Sequence, residues 1–251
     1  MKKNIVIIGT IVVSGCVIGI LMYRNKKYQV IIENLDTIDK EFSLKDTTLN
    51  FKPYETGNTR EQKMIEIYNS NITMANTLSE PMKSDVIRVM KTWFLTLDRE
   101  AYLTRITNDI ERAKQRRIME VYAPLIIETT RSLSKQLKYY KKGKTKSEPP
   151  YSYHIYGLAM DVGWIKIDDD GNTKVFKYEE PYIDTLSKLL LGLLGNKYEW
   201  GGNWTTFIDK PHFQIKWEYF NQKERRQQLI NMYVKVMSSL GYTCKDGKCL
   251  T

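Results

Sequence analysis

The 251-residue chain contains two histidines, His154 and His212. Most three- and four-ligand metal sites draw on imidazole or thiolate, so a site built on histidine here uses both or does not exist. Asp161 supplies a carboxylate between them. In Leu158-Ala159-Met160-Asp161-Val162-Gly163-Trp164 the pattern alternates as in a strand. Leu158, Met160, Val162 and Trp164 make an apolar face, and Asp161 lies on the other face between Ala159 and Gly163. A carboxylate flanked by such small residues has open space over it, as a metal and a substrate require. In His212-Phe213-Gln214-Ile215-Lys216-Trp217 the core face is Phe213, Ile215 and Trp217, and His212, Gln214 and Lys216 point the other way. Two imidazoles and one carboxylate suit tetrahedral zinc with the fourth position left for water. Taken singly, each of the three also fits an ordinary half-buried residue, and the chemistry rests on their combination.

The elements that must position these groups follow from periodicity. Gly157 permits a tight bend between His154 and the first strand. Helical spacing runs through Val86, Val89, Met90, Trp93 and Phe94, and again through Leu103, Ile106 and Ile110. Leu125-Ile126-Ile127-Glu128-Thr129-Thr130 reads as a strand. Helices over Ile183 to Leu194 and Asn221 to Leu240 stop at Gly195 and Gly241. Asp168-Asp169-Asp170-Gly171-Asn172 has a calcium loop's composition without its distant Glu, and reads as a hairpin turn. These elements predict a small antiparallel sheet with flanking helices, an α+β domain.

Charge is segregated along the chain. The net charge is +10, yet residues 28–80 hold nine acidic against five basic side chains. That acidic stretch reads as a stalk or accessory segment. From Arg131 to Lys146 there are seven Lys/Arg and no acid, either a solvated helix face or a patch for anionic polymers. No recognised nucleic-acid module accompanies it, so nucleic acid is not an expected partner. Asn4 to Tyr23 is twenty residues without a charge, long enough as a helix to span a bilayer of about 30 Å, and is expected to be a single transmembrane anchor. Val13-Ser14-Gly15-Cys16 offers the alternative of a lipoprotein cleavage site at Cys16. Near the end, Cys244 and Cys249 flank an Asp-Gly turn signal, and either form a hairpin disulfide or remain free thiols.

Taken together, S-x-H-x-x-G-x-A-x-D from Ser152 to Asp161, E-W-G-G-x-W from Glu199 to Trp204 and D-x-P-H-F from Asp209 to Phe213 resemble the zinc peptidases of peptidoglycan. That family includes D-alanyl-D-alanine carboxypeptidases and the L-alanyl-D-glutamate endopeptidases of phage endolysins. The resemblance covers about residues 95–217, and Asn203 and Thr130 stand where the family usually has Asp and Gly. It implies that His154, Asp161 and His212 ligate Zn2+ and that Asp209 is the catalytic base. It also implies that Arg131, with Ser132 and Gln136 in an R-S-x-x-x-Q element, faces the substrate. Ser152, Gln136 and Trp204 are the expected substrate-binding residues. Glu199 is the second choice for the base; a structural carboxylate holding a ligand or the Gly-Gly turn is the preferred reading of it.

Hydropathy, charge and the resemblance together predict a division into an anchor (1–27), an acidic segment (28–80), a zinc peptidase domain (81–220) and a C-terminal helix with a cysteine hairpin (221–251). Its expected activity is hydrolysis of the peptidoglycan stem peptide, most readily as an L-alanyl-D-glutamate endopeptidase because of the Gly-Gly and Asp-x-Pro-His spellings. A D-Ala-D-Ala carboxypeptidase is the alternative. A catalytically idle wall-binding or structural membrane protein of a virion or secretion machine is a further one. A wall substrate places the peptidase domain outside the cytoplasm, or in a viral membrane if the chain is phage-encoded, with the lipid bilayer and anionic wall polymers as further partners.

Overall fold

The computed structural model describes residues 7–13, 16–22, 59–180, 182–245 and 248–250. The chain divides into two compact units, one of residues 46–131 and 156–219, the other of residues 1–45, 132–155 and 220–251.

The first of these units carries an antiparallel sheet and its covering helices. Helix α1 (Arg60–Ala75) begins in a capping box, with Thr59 Oγ1 accepting from Gln62 N and Gln62 Oε1 accepting from Thr59 N. Helices α2 (Met82–Phe94), α3 (Thr96–Leu103) and α4 (Asp109–Val121) follow, then strand β3 (Tyr122–Glu128). The spacing Leu103, Ile106, Ile110 does not form one helical face. The chain turns after Leu103, Asn108 caps α4 by accepting from Glu111 N at 2.9 Å, and Ile110 is 83% exposed. Asparagine here takes the backbone donor that a continuous helix would have used.

Strands β4 (Ala159–Ile167), β5 (Thr173–Val175), β6 (Tyr198–Trp200) and β7 (His212–Ile215) complete the sheet, with helix α6 (Tyr182–Leu194) between β5 and β6. The order is β3-β4-β7-β6, every pair antiparallel, with β5 paired to β4. The β4–β5 connection is a hairpin turn: Asp168 Oδ1 accepts from Asp170 N and Asn172 N.

The alternation in β4 is realised, with Met160, Val162 and Trp164 fully buried. Trp164 packs on Trp93 of α2 with ring centroids 5.4 Å apart, and its Nε1 donates to Ser187 of α6. Ile67 of α1 joins Ala123, Leu125, Ile165 and Ile167 in the core. Asn71 of α1 is wholly buried; its amide donates to Pro124 O and accepts from Ile126 N, both at 2.8 Å. A single side chain thereby satisfies two backbone groups of β3 that would otherwise be buried unpaired. Strand β7 ends earlier than the alternation predicts: Trp217 lies in a 3-10 turn (Trp217–Asn221) and is 40% exposed rather than in the core.

In the other unit, α5 (Leu133–Lys141) starts at Ser132, whose hydroxyl accepts from Lys135 N at 3.2 Å. Helix α7 (Lys223–Ser239) leads through Gly241, at φ +84°, to the hairpin β8 (Thr243–Lys245) and β9 (Lys248–Leu250). There Cys244 and Cys249 face each other and are joined as a disulfide.

The α+β sheet fits the sequence expectation, but the transmembrane helix does not. Ile7–Val13 (β1) and Cys16–Met22 (β2) form an antiparallel hairpin in register Val13↔Cys16. Among the described residues, no helix is long and apolar enough to cross a membrane. The single-pass membrane topology drawn from that run is therefore contradicted. Its residues explain the difference: Ile and Val branched at Cβ favour strands, Gly9, Gly15 and Gly19 each cost a helix about 1 kcal/mol, and Ser14-Gly15 divides the run. Most of the acidic segment, residues 28–58, lies outside the described residues.

Candidate active site

The sheet register creates the site. Strand β4 lies between β3 and β7, and Asp161 pairs with His212 on one side and Glu128 on the other, after a shift in register at Ile127. Directly opposed residues of neighbouring strands share a face. His212 Nδ1 lies 3.1 Å from Asp161 Oδ1. His154 sits in a short 3-10 turn, Tyr153–Tyr156, and is 2% exposed. Gly157, which follows, has φ +66°, and a Cβ there would lie 2.8 Å from Ser79 N, so both conformation and space demand glycine. His154, Asp161 and His212 each offer a ligand atom, and these atoms lie within 4.8 Å of one another. Two imidazoles and a carboxylate on buried or half-buried residues are a donor set that could hold a divalent metal.

Around these three residues stand groups that bond to them or pack on them. Arg131, 7% exposed, directs Nη2 to Glu128 Oε2 and, at 3.4 Å, to Asp161 Oδ2. Beyond His212, Nε2 is 2.8 Å from Gln214 Oε1, and Gln214 Nε2 donates to Glu199 Oε1 at 2.6 Å. Trp204 donates from Nε1 to Glu199 Oε2 at 3.3 Å and packs its ring on His212, centroids 5.3 Å apart. Both oxygens of Glu199 thus accept hydrogen bonds. Burial opposes a charged imidazole at His212, but the hydrogen bond and charge of Asp161, the bond to Gln214 and the charge of Asp209 outweigh it and raise its pKa.

Asp209 reaches the site through backbone packing. Its N donates to Gly201 O at 3.0 Å, and His212 N donates to Asp209 O at 3.1 Å. A Cβ on Gly201 would lie 2.4 Å from Asp209 O, and one on Gly202 would lie 2.1 Å from the Trp200 ring. The two glycines of the Glu-Trp-Gly-Gly motif therefore seat the Asp209 turn and the Trp200 indole. Trp200 Nε1 donates to Lys210 O at 2.6 Å, Lys210 Nζ pairs with Asp184 at 2.8 Å, and Val162 N donates to Pro211 O at 2.9 Å, so the turn is pinned along its length.

Of the remaining expected residues, Ser152 is buried, and Gln136 is wholly buried and donates to Ser147 O at 2.5 Å. Three residues were not singled out by sequence. Glu128 is brought in by the β3–β4 register, and Gln214 by its place opposite Glu199. Tyr178 donates to Val162 O at 3.2 Å, and burial, followed by the charges of Asp161 and Asp209, pushes its phenol far above the ordinary value. It stays a hydrogen-bond donor at neutral pH. Alternation indicated the face of Gln214 but not its partner; nothing local marked Tyr178.

The segment holding all three metal-ligand candidates, Glu199, Gln214 and Asp209 matches a known family model. Residues 145–215 match the family described as D-alanyl-D-alanine carboxypeptidase. The resemblance to the peptidoglycan peptidases is thereby borne out. Among curated proteins, the chain is similar to the "Peptidoglycan L-alanyl-D-glutamate endopeptidase CwlK" of Bacillus subtilis (strain 168), 33% identical over 106 residues, 36% of this chain and 59% of that protein. It is also similar to the "L-alanyl-D-glutamate peptidase" of Listeria phage A118, 30% identical over 94 residues, 38% of this chain and 31% of that protein. The chain therefore spans less than two thirds of either relative's length. A solved structure, Serratia marcescens L-Ala D-Glu endopeptidase ChiX, aligns over 61% of this chain and 91% of that one at 20% identity and a TM-score of 0.40.

Proposed function

We propose that the chain is a zinc peptidase that hydrolyses the stem peptide of peptidoglycan at the bond between L-alanine and D-glutamate. The observation that carries this reading is the convergence of His154, Asp161 and His212, with ligand atoms within 4.8 Å of one another, beside a pinned turn bearing Asp209. The names of the two curated relatives support the choice of bond.

Zinc held by these three residues supplies Lewis acidity, which acidifies water and polarises a carbonyl at neutral pH. The chain's own groups do the rest. Asp209 takes a proton from the attacking water and gives it to the departing amine, so that the C–N bond breaks as the new C–O bond forms. Arg131 steadies Asp161 through its Nη2 and lends positive charge to the side of the site where the carbonyl oxygen gains negative charge. Glu199, with both oxygens engaged by Gln214 and Trp204, is a supporting carboxylate and leaves the base role to Asp209.

The test is digestion of purified peptidoglycan by the full chain, with mass spectrometry of the fragments. New D-Glu amino termini are expected. Released D-Ala would instead establish the carboxypeptidase named by the matching family model. Unchanged activity in Asp209→Asn would overturn the assignment of the base.

A further inference from the structure

The hydrogen bonds behind His212 have only one possible polarity. Register places Glu199 on β6 directly opposite Gln214 on β7. An ionised carboxylate accepts and never donates, so Glu199 Oε1 fixes the Gln214 amide with its NH2 toward Glu199, at 2.6 Å. The amide oxygen must then face His212, where it lies 2.8 Å from Nε2. A carbonyl also only accepts, so Nε2 must carry a proton. The other nitrogen, Nδ1, faces the Asp161 carboxylate at 3.1 Å; that group also only accepts, so Nδ1 donates to it in the metal-free fold and gives up that proton when a cation takes its lone pair. Trp204 Nε1 donates to the second Glu199 oxygen at 3.3 Å and holds the carboxylate against rotation.

We infer that Glu199 and Gln214 are positioning residues that lock His212 in its Nε2–H tautomer and so aim Nδ1 at the metal. This rests on the metal-site reading above and extends it to two residues that do not themselves ligate. The arrangement makes Glu199 necessary as a carboxylate. In Glu199→Gln, one amide oxygen cannot accept from both Gln214 and Trp204. The amide of Gln214 is then free to turn its NH2 toward His212, which requires the lone pair on Nε2 and moves the proton to Nδ1. The double variant Glu199→Gln/Gln214→Glu reverses the polarity of the link while keeping its atoms and charge. Its Glu side chain accepts from His212 Nε2 and from the Gln amide, whose oxygen accepts from Trp204.

The experiment uses the full chain, whose two histidines give a simple spectrum. Long-range 15N–1H correlation of the zinc-loaded protein reads which His212 nitrogen keeps its proton and which meets the metal. Competition with a chromogenic chelator reads zinc affinity. Wild type is expected to show Nε2–H. Glu199→Gln is expected to show Nδ1–H or a mixture and to lose about 10- to 100-fold in zinc affinity, the usual effect of removing a group that orients a metal-ligating histidine. The double variant is expected to recover both. An Nδ1–H tautomer in wild type overturns the inference without any variant, and so does a double variant no better than Glu199→Gln. If wild type binds no zinc, the metal reading fails, and the link is then decided in the metal-free protein at neutral pH, where Nε2 should keep its proton in wild type and lose it in Glu199→Gln.

Discussion

Replacing Gly201 by alanine tests how the Asp209 turn is held. The added Cβ would lie 2.4 Å from Asp209 O, 3.0 Å from Asp209 Cβ and 3.2 Å from Asp209 C, whereas ordinary contact begins at 3.4 Å. Relief requires a displacement of about 1 Å between Gly201 and the Asp209 peptide, and a misplacement of that size costs roughly 100-fold in catalysis. The atom in the way is backbone, so no rotamer change can absorb it. Overpacking of this kind also costs about 1 to 3 kcal/mol of stability. The assay is kcat for peptidoglycan digestion beside zinc content and Tm. The expected result is a kcat down about two orders of magnitude, with zinc retained because no ligand is removed. A Gly201→Ala protein with wild-type kcat would refute the claim that close backbone packing sets the position of Asp209.

Other predictions concern the groups around that turn. His212 has a raised pKa in the metal-free fold. Its protonation therefore adds stability that is complete below about pH 6.5, the unfolded value, and fades as pH rises through the folded value. Thermal melts of the chelated protein across that window should show a decline that is absent in His212→Gln. Zinc affinity should rise over the same window, since the metal needs the lone pair. Asn71→Leu leaves Pro124 O and Ile126 N buried without the bonds Asn71 now makes, and should destabilise the fold by about 2 to 4 kcal/mol in urea unfolding. Arg131→Ala leaves Glu128 and Asp161 side by side without the guanidinium between them and should cost roughly 3 kcal/mol. That loss should be smaller when zinc is bound, because the cation restores positive charge at Asp161.

Much of the site was legible because strand alternation is a local property. Asp161 between Ala159 and Gly163, and His212 opposite a core phenylalanine, were visible from period-two spacing alone. The short motifs around them carried the family resemblance. Pairing between strands is not local. That Glu128 lies beside Asp161, or that Gln214 bonds Glu199, depends on register between segments far apart in the chain. The same limit applies to endings: Trp217 continues the alternation of β7 in sequence, but the strand gives way to a 3-10 turn before reaching it. Over Asn4 to Tyr23 hydropathy and length pointed to a helix, while the β-branched side chains and glycines of the same residues are consistent with the hairpin of β1 and β2. The proposed activity requires one metal doing one hydrolysis. The most direct measurement is peptidoglycan digestion by the full chain before chelation, after it, and after zinc is returned, read as new D-Glu amino termini. These products are expected to vanish on chelation and to return with zinc. Digestion that continues unchanged after the metal is removed would contradict that requirement.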